Sequence, residues 1–167
     1  PFFRFHFLNF RNEVNPDLKN EVIYAGEIGY GFKSRKFNLN FNGYYTVWDQ
    51  ISQLAGFRTE AGQFVNAFIS ELQAVHMGIE LDFQWTITRW VNVGGLASFG
   101  SWEYANDPTA DLYDDQTLEY LGTGTLFLDG LKVPDQPQTQ FGYNVEFVAA
   151  KRLTFALQHL FYDNLYA

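Results

Sequence analysis

From Glu21 to Lys33 the side chains alternate, with Val22, Tyr24, Ile28, Tyr30 and Phe32 on one side and Glu21, Glu27, Gly29, Gly31 and Lys33 on the other. A period of two belongs to a β-strand, whose successive side chains point to opposite faces. After the polar turn Ser34-Arg35-Lys36 the alternation resumes. Phe37, Leu39, Phe41, Tyr45 and Val47 oppose Asn38, Asn40, Asn42, Tyr44, Thr46 and Trp48, which predicts a hairpin over about 21–48. A second hairpin is predicted over about 73–102. In it Val75, Met77, Ile79, Leu81, Phe83 and Trp85 share a face, as do Val91, Val93, Ala97 and Phe99 after a reversal at Thr86 to Arg89. A third, over about 138–162, sets Phe141, Tyr143, Val145 and Phe147 beside Leu153, Phe155, Leu157, His159 and Phe161, around a turn at Ala149 to Arg152.

Each hairpin closes in a few residues, whereas the connections of about 49–72 and 103–137 are long and rich in Gly, Asp, Thr and Gln. Short turns on one rim and long loops on the other is the asymmetry of an outer-membrane barrel, with the long loops extracellular and the short turns periplasmic. Inside the second connection, Asp129-Gly130 between Thr125 to Leu128 and Leu131 to Val133 signals a β-ribbon. Phe64, Phe68, Leu72 and Val75 also fit a helical spacing, so about 63–73 has a short helix as its alternative; strand is expected from Leu72 onward.

The apolar faces hold no Asp, Glu, Lys or Arg, although 18% of the chain is charged. Some thirty positions drawn at random would hold about five charges. A soluble β-sandwich would also hide such a face, so length and aromatics carry the choice. The strands run to a dozen residues or more, against a usual ~5 to 6 in globular proteins and ~9 to 11 for a membrane strand. Phe32, Phe37, Trp85, Trp90 and Phe147 gather beside the short turns, and Tyr44, Tyr45, Trp48, Phe161 and Tyr162 mark the other rim, as interfacial girdles do. The expected fold is therefore all-β, an antiparallel transmembrane barrel segment of about six strands in the bacterial outer membrane. Six strands cannot close even a barrel of ~8, so the segment is expected to be part of a larger one.

Charge changes the picture little. The 167 residues carry 19 acids and 11 basic groups, a net −8, which repels a polyanionic backbone and argues against nucleic-acid binding. The absence of cysteine removes disulfides, thiolate metal sites and a thiol nucleophile. No uncharged run reaches the ~18 apolar residues of a membrane helix. The chain opens at Pro1 within sequence that already reads as structured, so both ends are expected to be cut.

Asn15-Pro16-Asp17-Leu18-Lys19-Asn20-Glu21, followed by Gly26-Glu27-Ile28-Gly29-Tyr30, resembles the lead-in to a barrel strand of TonB-dependent outer-membrane receptors of the Bacteroidetes type. Asn40 to Trp48, His76 to Phe83, Ser98 to Tyr104 and Phe161 to Ala167 resemble later strands of that barrel in their usual order. The resemblance runs from about Asn9 to the end and implies the C-terminal part of a presumed 22-strand barrel. It implies import of a scarce nutrient, such as an iron chelate, cobalamin, a glycan or a peptide. The implied partners are outer-membrane lipid, the rest of the barrel with its plug domain, TonB, and a surface lipoprotein or larger complex. The plug and the TonB-contacting segment are not in this sequence. The competing readings are a barrel serving as adhesin or scaffold, and a soluble carbohydrate-binding β-sandwich.

Catalytic constellations are thin, and no enzyme activity, cofactor or metal site is expected. His6, His76 and His159 are isolated, and Glu80 and Asp82 read as solvated charge on a wet wall. Glu103, Asp107, Asp111, Asp114, Asp115 and Glu119 are dense enough to attract a hard cation, but their spacing matches no EF-hand loop and reads as surface charge. Trp48, Trp102 and Tyr104 are the candidate ligand-binding residues. They fall at the long-loop rim, where aromatic faces stack on a sugar or chelate; interface anchoring is their alternative role.

Overall fold

The computed structural model describes residues 19–134, 136–150 and 153–166. These form β1 (Val22–Lys33), β2 (Phe37–Arg58), β3 (Phe64–Thr88), β4 (Val91–Tyr104), β5 (Thr109–Asp114), β6 (Tyr120–Thr125), β7 (Pro137–Ala150) and β8 (Leu153–Leu165), with no helix among the described residues. The path of the antiparallel sheet is β1-β2-β3-β4-β7-β8, and β5 and β6 branch from β3. The six predicted long strands are thus the six of the path, and β1 and β8 end it without pairing to each other. The lead-in Asn15 to Leu18, His6 and the turn residues Lys151 and Arg152 lie outside the described residues.

The register is the one that the alternation demands. Val91, Val93, Gly95, Ala97 and Phe99 of β4 stand opposite Phe147, Val145, Tyr143, Phe141 and Thr139 of β7. Phe141, Tyr143, Val145 and Phe147 in turn face Phe161, His159, Leu157 and Phe155 of β8. A slip of one residue would send each of these side chains to the opposite face, so the hydrophobic pattern itself specifies the pairing.

The segment 49–72 departs from expectation. It is not a loop and holds no helix: β2 runs on to Arg58, β3 begins at Phe64, and only a five-residue turn separates them. In that turn Thr59 N–H donates to Gln63 O at 2.9 Å, and Gly62 takes a φ of 83° that only glycine adopts freely. The alternation is broken because Gln50 and Glu71 have left-handed backbone, φ 57° and 58°. Such a residue shifts the phase of a strand by one, as a β-bulge does. Both faces of β3 are buried from Val65 to Ile69, and the core cluster takes Ala67 and Ile69 before Glu71 and Leu72 after it. Asn106 clamps the shifted place, its Nδ2 donating to Glu71 O at 2.7 Å and its Oδ1 accepting from Gln73 N–H at 2.9 Å.

The ribbon in 103–137 is also displaced. It is the hairpin β5–β6, whereas the Asp129-Gly130 turn bends the following segment back toward the end of β4, with Gly130 N–H donating to Tyr104 O at 2.9 Å. Asp107 Oδ1 holds that turn by accepting from Leu128 and Asp129 N–H at 2.8 and 2.9 Å.

The chain divides into two compact units. Among the described residues, unit 1 comprises 19–24, Val47–Val75 and Glu103–Leu131. It has a conventional core of Ala67, Ile69, Leu72 and Ala110, against which Ile51, Tyr104, Leu112, Leu126 and Leu128 pack. Unit 2 comprises, among the described residues, Ala25–Thr46, His76–Trp102, 132–134, 136–150 and 153–166, none of which belongs to that core.

Candidate functional site

Unit 2 is a sheet with two chemically distinct faces. On the apolar face, Phe37 lies 6.3 Å from Phe83 and edge-on to Trp85 at 6.5 Å, Phe99 meets Phe141 edge-on at 5.0 Å, and Phe141 lies 6.4 Å from Phe161. These rings pack sideways on one another and stay open above. Ile79 is 47% exposed, Tyr143 49%, Leu157 61% and Ile28 79%. A water-soluble sheet hides such a face, because each large apolar side chain taken from water stabilises the fold by about 1.5 to 3 kcal/mol.

The other face is laced by polar pairs between neighbouring strands. Asn40 Nδ2 donates to Asp82 Oδ1 at 3.0 Å, and Asn92 Nδ2 to Glu146 Oε1 at 3.3 Å. Leu96 and Leu160 interrupt it, meeting above Gly142, where a Cβ would stand 2.7 Å from Leu160 Cδ2.

On this same face three strands bring an aromatic cluster together. Trp102 of β4 donates its indole N–H to Tyr44 Oη of β2 at 2.9 Å, and the His76 ring of β3 stacks on Trp102 at 5.3 Å and 25°. Two glycines make room for it. A Cβ at Gly78 would stand 2.6 Å from Tyr44 Oη and 2.6 Å from the Phe99 carbonyl oxygen, and one at Gly100 would stand 2.8 Å from Trp102 Nε1. Bare backbone lets the rings lie close to the sheet. Gln138 fixes the strand beneath, its Oε1 accepting from Trp102 N–H at 3.1 Å and its Nε2 donating to Trp102 O at 3.0 Å.

The three candidate ligand-binding residues fall in different places. Trp102 sits in this cluster, half-buried. Trp48 and Tyr104 belong to unit 1. Trp48 is half-buried on β2, and Tyr104, the last residue of β4, packs against the unit 1 core. Tyr44 and His76 are the partners that sequence reasoning did not attach to Trp102. The signal for them is that Tyr44, His76, Gly78, Gly100 and Trp102 are all even-numbered members of strands whose even positions form the polar face.

Asp111, Asp114 and Asp115 of unit 1 are engaged by neighbouring side chains and backbone. Asp114 Oδ1 accepts from Thr117 and Gln116 N–H at 2.7 and 2.8 Å and its Oδ2 from Gln63 Nε2 at 2.7 Å. The Gln63 bond, then the two backbone bonds, hold the Asp114 carboxyl down at about 2. Asp111 accepts from Thr123 Oγ1 at 2.6 Å, and Asp115 accepts from the buried Asn66 Nδ2 at 3.0 Å. Among the described residues no group of three or more His, Cys, Asp or Glu is arranged to hold a metal ion. A polar cavity of about 200 Å³ opens between Ser52, Ser70, Glu71, Asp111 and Tyr113. Lys19 pairs with Glu71 at its edge.

No protein family, curated protein or solved structure matches the chain.

Proposed function

We propose that this chain is a stretch of wall from a TonB-dependent-type receptor in the bacterial outer membrane, part of a barrel that imports a scarce nutrient. The observation that carries the membrane part is the exposed apolar face of unit 2: the register aligns the charge-free positions of successive strands on one side, and the polar pairs on the other. Lipid is the surrounding that makes the first face stable, and water or a plug suits the second. Among the described residues no strand pairs with the outer edge of β1 or β8, which fits a wall continued by further strands, because backbone N–H and C=O groups left open in hydrocarbon cost several kcal/mol each. The import part rests on the resemblance alone, and the Trp102 cluster on the polar face is the surface it would offer a ligand.

Cell fractionation of the full-length protein tests the membrane part. The protein is expected with the outer membrane and released only by detergent. Recovery of a stable, monomeric species in detergent-free buffer would overturn the proposal and return the chain to the soluble β-sandwich reading.

A further inference from the structure

The short-turn rim of unit 2 is basic. Lys33 ends β1, Arg35 and Lys36 lie in the first turn and Arg89 in the second, and all four are exposed. Backbone bonds hold these turns side by side with the neighbouring strands, Thr86 N–H donating to Lys36 O at 2.7 Å and Val148 N–H to Trp90 O at 2.8 Å. No acid occupies either turn, and among the described residues none of the four cations pairs with a carboxylate. The acid nearest the rim on β7, Glu146, lies on the polar face and accepts from Asn92. The third connection adds Lys151 and Arg152 in the sequence only.

An aromatic band lies directly beside these charges. Phe32, Trp85, Trp90 and Phe147 are 42% to 48% exposed, with Phe37 packed between Phe32 and Trp85. The Arg89 guanidinium stands over the Trp90 ring at 4.5 Å. This contact keeps the cation at the level of the ring and leaves the guanidinium edge free for an anion. A chain with a net charge of −8 has no general reason to collect unpaired cations at one rim. A ring of cations just outside a band of tryptophan and phenylalanine has the layering of a phospholipid leaflet seen from its surface: phosphate first, then glycerol and the upper acyl carbons.

We propose that this rim is a binding surface for anionic phospholipid, Arg35, Lys36 and Arg89 taking the headgroup phosphates while Trp85 and Trp90 lie among the glycerol and first acyl carbons. The inference rests on the membrane reading above and adds to it a lipid selectivity and the residues that confer it. Lys and Arg act here without competing acids, so each cation near the surface is expected to favour an anionic over a zwitterionic lipid by roughly five-fold, less where salt screens it.

The test uses the full-length protein, reconstituted from detergent into phosphatidylcholine vesicles that carry equal mole fractions of either brominated phosphatidylcholine or brominated phosphatidylglycerol. Bromine quenches tryptophan only at contact range. Phosphatidylglycerol is expected to quench several-fold more effectively. Raising salt from 0.05 to 0.5 M, or the triple variant Arg35→Gln, Lys36→Gln, Arg89→Gln, is expected to reduce that preference toward unity. Equal quenching of the wild-type protein by the two lipids at low salt would overturn the inference while leaving it a membrane protein. So would an undiminished phosphatidylglycerol preference in Trp85→Phe, Trp90→Phe, which would locate the contact elsewhere. Absence of quenching by either lipid would overturn the membrane reading and this inference with it.

Discussion

An arginine moved along the apolar face of β3 should report depth in a bilayer. The apolar side chains run from Val75 to Trp85, a stretch of about 11 residues that at ~3.3 Å each and a barrel tilt of ~40° rises ~28 Å, close to the ~25 Å apolar band of outer-membrane barrels. Ile79 and Leu81 each lie four residues from an end of the stretch, hence ~10 Å inside its rim, and Trp85 lies at the rim. Arginine costs about 2 to 4 kcal/mol at the midplane and about 0 to 1 near an interface. Ile79→Arg and Leu81→Arg should therefore each lower the folding free energy by about 2 to 3 kcal/mol, or ~30- to 150-fold in the folding equilibrium. Trp85→Arg should lose only about 1 kcal/mol beyond its ring contact with Phe37. Glu80→Arg, between the two sensitive sites but on the wet face, should change little. The measurement is urea-dependent folding of the full-length protein into vesicles. Costs at Ile79 and Leu81 no greater than at Trp85, or a cost at Glu80 equal to theirs, would refute both the depth scale and the assignment of faces.

Gly78→Ala places a methyl against Tyr44 and the Phe99 carbonyl; it is expected to break the Tyr44–Trp102 hydrogen bond and shift Trp102 fluorescence, with an overpacking cost of about 1 to 3 kcal/mol. An unchanged spectrum and stability would remove the glycine from its role beneath the cluster. Asp114 makes the β5–β6 hairpin acid-sensitive in a defined window: its carboxyl sits below the ordinary 3.8, so the stability it contributes is complete above that value and is lost as pH falls toward about 2. The Gln116 and Thr117 amide resonances should hold to pH 3 and shift near 2; a midpoint near 3.8, or an unaltered profile in Asp114→Ala, would contradict the carboxylate's place in that turn.

Much of the fold was legible in the chain because β-structure writes its two faces as alternation. The absence of charge from Val22 to Phe32, Val75 to Trp85 and Leu153 to Phe161 on alternate positions defined the strands, their faces and the short turns between them, and a register that kept those faces together was the one consistent pairing. The segment 49–72 was not legible, since a phase shift at Gln50 and Glu71 interrupts the period and neither position carries the glycine that usually announces left-handed backbone. At the first, Asp49 Oδ1 accepts the neighbouring Gln50 N–H at 2.9 Å and is itself held from β3 by Gln73 Nε2 at 3.4 Å; at the second, Asn106, 35 residues along from Glu71, bonds across the shifted place. The site divides in the same way. Local pattern placed Trp102 at the long-loop rim, but its meeting with Tyr44 and His76 depends on the stagger of three strands, and the packing of Tyr104 into a core depends on where β5 and the Asp129-Gly130 turn come to lie. Alternation is a property of one strand and can be read from it; stagger and bulge clamps arise between strands, from contacts among residues far apart in the chain.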